Sequence, residues 1–159
     1  MGPQVRGAWA RALLVAGAVV ALDQLTKALV IEGVRRGSRD SIFLGVDLVH
    51  VRNRGVAFGL LSDGGALVVI LTAGALILLL VYFLTHTRKR GLWLPTGLLF
   101  GGAAGNLVDR ARHGEVIDFI DLPLWPAFNL ADMSITAGVV GLLLVLEADR
   151  KEDSDAARA

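Results

Sequence analysis

The stretch GGALVVILTAGALILLLVYFLT, Gly64–Thr85, decides the fold class, because 22 consecutive residues carry no charge. At about 1.5 Å of rise per residue, roughly 20 apolar residues cross the hydrocarbon core of a bilayer as a helix. Working outward, Gly91–Val108 gives 18 more uncharged residues, with Gly97, Gly101, Gly102 and Gly105 spaced as a small-residue face for a neighbouring helix. Met133–Leu146 is 14 uncharged residues, and reaching back through Phe128-Asn-Leu-Ala-Asp132 makes a third crossing of 19 with one acid near the membrane surface. Ala12–Ile31 is a fourth, interrupted by Asp23 and Lys27, which stand four apart and so share a helix face. Arg6 and Arg11 ahead of Ala12–Leu22 also fit a cleavable leader, but apolar Ala28-Leu-Val-Ile31 lengthens the segment to a full span.

Composition agrees. The chain has 159 residues, 54% of them apolar, 19% charged, with a mean hydropathy of +0.60, above the apolar share of a soluble domain. A net charge of +1 from 16 bases and 15 acids leaves no polybasic surface for a nucleic acid. Zero cysteines exclude disulfides, thiolate metal sites and a cysteine nucleophile.

The expected architecture is an all-α membrane protein: one domain over 1–159 with crossings at about 12–31, 65–85, 91–108 and 129–147 and outer loops 32–63 and 109–128. Lys and Arg number 8 against 7 on the two sides, but the 8 fall in 31 residues and include the tight connector His86-Thr-Arg-Lys-Arg90. Density therefore puts the termini inside and the chemistry at the outer face. In the first outer loop, β-branched Ser41–Arg52 predicts a small strand or hairpin before the turn residues Asn53-Arg-Gly55. Glu147–Ala159 reads as a solvated, frayed tail. Gly59, Gly64 and Gly65 are as well explained by turn geometry as by hinges.

Ionisable groups at membrane depth are costly and mark function by default. Asp118 and Asp132 flank Phe119–Ala131, whose Pro123 and Pro126 turn the chain back toward the fourth crossing. Converging there, one carboxyl would keep its proton while the other deprotonates a water. The plainer reading is an acidic, solvated loop, since Asp109, Glu115 and Asp121 lie nearby. If Asn129 caps the fourth crossing, Asp132 sits in its first turn and holds the charge, leaving the proton to Asp118. Asp23 and Lys27 pair across one turn, as a packing device or a functional one. Arg110 either anchors its crossing by snorkelling or binds a carbonyl or phosphate through its fork. A Ser–Lys peptidase would need Ser41 or Ser134 beside Lys27, which no spacing supports. His50, His86 and His113 lack ligand spacing, so no metal is expected. A carrier that relays protons through Asp23, Lys27, Asp118 and Asp132 is the alternative of a different class, and a non-enzymatic lipoprotein-binding scaffold a third.

Five ordered motifs resemble signal peptidase II, the lipoprotein signal peptidase family of bacterial inner membranes: Asp23-Gln-Leu-Thr-Lys27, Asn53-Arg-Gly-Val-Ala-Phe-Gly59, Gly101-Gly-Ala-Ala-Gly-Asn-Leu-Val-Asp-Arg110, Val116-Ile-Asp-Phe119 and Phe128-Asn-Leu-Ala-Asp132. The resemblance implies an aspartic endopeptidase without metal or cofactor, with Asp118 and Asp132 as its dyad. Such an enzyme cleaves lipid-modified prolipoproteins before a diacylglyceryl cysteine. It also implies a multi-pass inner-membrane protein with an interfacial β cradle and a short outer helix; membrane lipids are the expected surroundings and a monomer the expected state. Asn53, Asn106, Asp109, Arg110 and Asn129 resemble residues that shape the site or contact substrate, and Asp23 and Lys27 resemble residues that support fold and activity. Val56 and Met133 depart mildly from the motifs and carry no protons.

Overall fold

The apolar stretches are helices in a computed structural model that describes residues 2–53 and 65–156. They are α1 (Pro3–Gly33), α2 (Gly65–Thr85), α3 (Trp93–His113) and α4 (Leu130–Ala156). Between them lie β1 (Arg39–Phe43), β2 (Val46–Asn53), β3 (Val116–Leu122) and β4 (Trp125–Phe128). The Asn53–Gly59 motif beyond Asn53, with Val56, Gly59 and Gly64, falls outside the described residues, while Gly65 opens α2. Pro at the start of α1 costs nothing there, because the first amides of a helix have no partner to lose. Gly114, at φ 72°, ends α3 by turning its N–H back onto the Arg110 carbonyl at 2.9 Å.

Two expectations are corrected, the frayed tail and a β element drawn from the first outer loop alone. α1, α3 and α4 outrun their apolar stretches, and the tail expected to fray is helical through Ala156. The charged ends cost nothing where they stay exposed, and α3 carries Arg110, Arg112 and His113 in a last turn whose dipole favours cations. The helical class with a small β element holds in its coarse form, and among the described residues that element is a four-stranded antiparallel sheet in the order β1-β2-β3-β4. β3 and β4 come from the second loop, where the prolines pointed only to a turn; Pro123 sits between the two strands and Pro126 in the last, an edge strand among the described residues. The strand expected near Ile42–Val51 is the β1–β2 hairpin, with Gly45 at φ 75° in its turn.

α3 is the central helix, and its glycines do the work foreseen for them on two faces. A Cβ on Gly97 or Gly101 would lie 2.7 Å from the Ala12 carbonyl or 2.9 Å from that of Ala16 in α1. One on Gly102 would lie 2.5 Å from the Ala131 carbonyl of α4. Backbone-to-backbone packing of this kind replaces the hydrophobic drive that lipid cannot supply. At one end Phe83 and Leu92 are sealed by Trp9 and Tyr82, with the Trp9 and Phe83 rings edge-to-face at 4.9 Å. At the other, Phe119 of β3 packs on Val30 and Val34 and fixes the sheet to the end of α1. α1 and residues 130–151 of α4 are each long and apolar enough to cross a membrane.

Candidate active site

Asp118 is the third residue of β3 and faces Val51 of β2 across the antiparallel ladder. Asp132 is the third residue of α4, and Asn129 caps that helix as the sequence suggested. The Asn129 Oδ1 accepts the Asp132 N–H at 3.0 Å, and Asp132 Oδ2 accepts the Asn129 N–H at 3.2 Å. This reciprocal pair is a capping box, and it aims the carboxylate at amides the helix leaves unpaired. The same Asn129 donates from Nδ2 to Asp118 Oδ1 at 2.8 Å. One fully buried residue therefore holds both carboxylates, that of Asp118 through its side chain and that of Asp132 through its backbone N–H.

Two further amides complete the frame. Asn53 Nδ2 donates to Asp118 Oδ2 at 3.0 Å, and Asn106 Nδ2 donates to Asp132 Oδ1 at 2.8 Å. Both carboxylates line one cavity of about 730 Å³, together with Asn53, Asn106 and Arg110. Its remaining walls are largely apolar, from Ala103 and Leu107 on α3, Ile135 on α4 and Trp125 on β4. Burial pushes the Asp118 carboxyl up to about 7, and the neighbouring Asp132 adds to the rise, against the lowering from the Asn53 and Asn129 hydrogen bonds and the Lys27 charge. An acid that keeps its proton near neutrality beside a second, capped carboxylate can divide acid and base work between them.

The other residues singled out by sequence divide into two sets. Asn53, Asn106 and Arg110 reach the cavity. Asp23, Lys27 and Asp109 lie behind it, all at most 2% exposed, with Lys27 Nζ 2.8 Å from Asp23 Oδ2 and 2.7 Å from Asp109 Oδ2. Asp109 thus points into the interior, toward Lys27 and the Ile117 N–H. Gln24 went unnoticed as a site residue, although its Nε2 bridges Asp109 Oδ1 at 2.9 Å and the Gly105 carbonyl at 3.3 Å. An amide beside Asp23 in an otherwise apolar stretch was the available signal. The seryl alternative finds no support: Ser134 Oγ donates to the Leu130 carbonyl at 2.9 Å, and Ser41 sits exposed in β1. His50 turns Nδ1 to the Val34 carbonyl at 3.0 Å and His86 stacks on Tyr82.

The chain is similar to known proteins over most of its length. Residues 15–147 match the family described as signal peptidase (SPase) II. A lipoprotein signal peptidase of Halothermothrix orenii is 42% identical over 135 residues, 84% of this chain and 92% of that relative. One from Syntrophomonas wolfei is 44% identical over 137 residues, 85% of this chain and 91% of the relative. A solved structure described as a bacterial membrane enzyme superposes with a TM-score of 0.81 at 33% identity, over 89% of this chain and 90% of that one. Another so described gives 0.76 at 34% identity, over 85% and 91%.

Proposed function

The chain belongs to the signal peptidase II family, and from that membership we propose that Asp118 and Asp132 are the two acids with which it cleaves. It is a membrane-embedded peptidase that removes the signal peptide from prolipoproteins. The observation that carries the proposed pair is Asn129, hydrogen-bonded to both carboxylates at the wall of one cavity.

The chemistry follows from the unequal settings of the two acids. Asp132, capped at a helix N-terminus and held by Asn106 and Asn129, is the base. It takes a proton from a water in the cavity, and the water oxygen bonds to the scissile carbonyl carbon. Asp118, protonated, donates a hydrogen bond to the carbonyl oxygen as negative charge grows there. When the C–N bond breaks, the Asp118 proton passes to the leaving amine, Asp132 keeps the proton taken from water, and both new termini depart. No metal or cofactor enters this scheme.

The substrate is a precursor whose cysteine carries a diacylglyceryl group, cut just before that cysteine. Apolar walls beside the acids suit acyl chains that stay in hydrocarbon, and the Arg110 fork at the same cavity suits a carbonyl or phosphate oxygen. Four crossings in the inner membrane, termini in the cytoplasm and the acids at the outer face fit the charge density of the connectors. One chain supplies both acids and all the amides that hold them, which supports a single-subunit enzyme.

Purified protein in detergent, given a lipidated precursor and no ion gradient, shortens it; a proton carrier or a binding scaffold does not. Asp118→Asn and Asp132→Asn each abolish cleavage with the helical content unchanged. Full cleavage by either variant removes the pair from the mechanism.

A further inference from the structure

The buried ammonium behind the cavity has three protons and three acceptors. Lys27 Nζ contacts Asp23 Oδ2 at 2.8 Å, Asp109 Oδ2 at 2.7 Å and Asn106 Oδ1 at 3.1 Å. Every donor of the lysine is therefore used inside the protein. Buried ion clusters are a weak source of stability, because well-packed apolar side chains of the same volume do as well or better. The oxygens of these two acids are also used outside the cluster. Asp23 Oδ1 accepts the N–H of Ala131 at 3.0 Å, and Asp109 Oδ2 accepts the N–H of Ile117 at 3.2 Å. Ala131 immediately precedes Asp132, and Ile117 immediately precedes Asp118.

That coincidence is what the cluster adds to the site. α4 and β3 arrive from different directions, and each is held at the amide one residue before its acid. A trans peptide fixes successive Cα atoms about 3.8 Å apart, so tethering these amides fixes where the two carboxylates begin. The third acceptor, Asn106, hands the same constraint on to Asp132 Oδ1 directly. Gln24 locks the far oxygen of Asp109, and Gly105 leaves no room for the cluster to shift, since a Cβ there would lie 2.6 Å from Asp23 Oδ2.

We propose that Asp23 and Asp109, clamped together by Lys27, are positioning residues that set the separation of Asp118 and Asp132 by holding the amide before each. This rests on Asp118 and Asp132 being the catalytic pair. Steady-state cleavage of a synthetic diacylglyceryl prolipoprotein peptide in detergent micelles tests it, with rates referred to folded enzyme. Misplacement of reacting groups by about an ångström costs on the order of 100-fold, so Asp23→Ala and Asp109→Ala lower kcat by about that factor while KM stays within about threefold. Asp109→Asn, which keeps an acceptor for the Ile117 N–H, retains kcat to within about tenfold of the parent. Phe83→Leu, remote from the cavity, lowers the thermal midpoint and leaves kcat alone. Should an alanine variant not accumulate, Asp109→Leu fills the volume without an acceptor and shows the same loss. Parental kcat in the alanine or leucine variants, a loss confined to KM, or equal damage from Asn and Ala overturns the proposal. Asp118→Asn in the same assay separates the two readings: if it is inactive while the clamp variants are normal, only the clamp falls.

Discussion

Asp118→Asn should make the protein more stable at alkaline pH while destroying its activity. Burial raises the Asp118 carboxyl from 3.8 to about 7 in the fold. Between those values the folded protein keeps a proton that the unfolded chain has released, so stability falls as pH rises through that window and levels off above it. A rise of about three pH units at 1.36 kcal/mol each makes the buried carboxylate cost about 4 kcal/mol at pH 8 and almost nothing at pH 4. Asparagine removes that cost. It also turns an N–H₂ toward one of the two amide donors now facing Asp118, Asn53 and Asn129, which takes back about 1 kcal/mol. The net expectation is a gain of about 2–3 kcal/mol at pH 8 that shrinks to nothing or reverses by pH 4. Unfolding of parent and variant is followed in the same detergent at both pH values, with cleavage assayed in parallel. A stability difference independent of pH, or a variant weaker than the parent at pH 8, refutes the reasoning.

Cleavage should fall on the alkaline side with an apparent pKa near 7, because Asp118 must keep its proton to stabilise the oxyanion; a pH–kcat profile flat from 6 to 9 contradicts the assignment, the apparent value belonging to the pair. Asn129→Ala removes the α4 cap and the donor to Asp118 together, so it should cost about 1–2 kcal/mol in unfolding and nearly all activity, whereas loss of stability alone would separate Asn129 from the chemistry. Gly102→Ala drives a methyl against the Ala131 carbonyl and should destabilise by about 1–3 kcal/mol in a denaturant titration, while Gly74→Ala, with open space at its Cβ, should not.

The sheet-side half of the site was the least legible in the chain. Val116-Ile-Asp-Phe119 is β-branched and alternating, but Pro123 and Pro126 close behind it read more strongly as a turn between crossings. What makes it a strand is a distant partner, since Asn53 pairs with Val116 and donates to Asp118, 65 residues away. No local signal encodes that pairing. The helices were legible because an apolar run long enough for a bilayer is a property of the run itself, and Asn129 as a cap was legible because capping is decided within one turn. The inward direction of Asp109 was not legible for the opposite reason: which face of α3 meets α1 depends on the glycines of one helix and the carbonyls of another.

Composition and order alone therefore determined that the chain is membrane-borne and largely helical, with acids stationed where apolar runs end, since hydrophobicity and helix periodicity act over a few turns. Folding decided that Asp118 and Asp132 meet at Asn129, that Lys27 is fully satisfied by three acceptors, and that Asp23 and Asp109 turn from the cavity to the amides behind it. Those are hydrogen bonds across more than 100 residues in one case, and their directions exist only once the helices have packed.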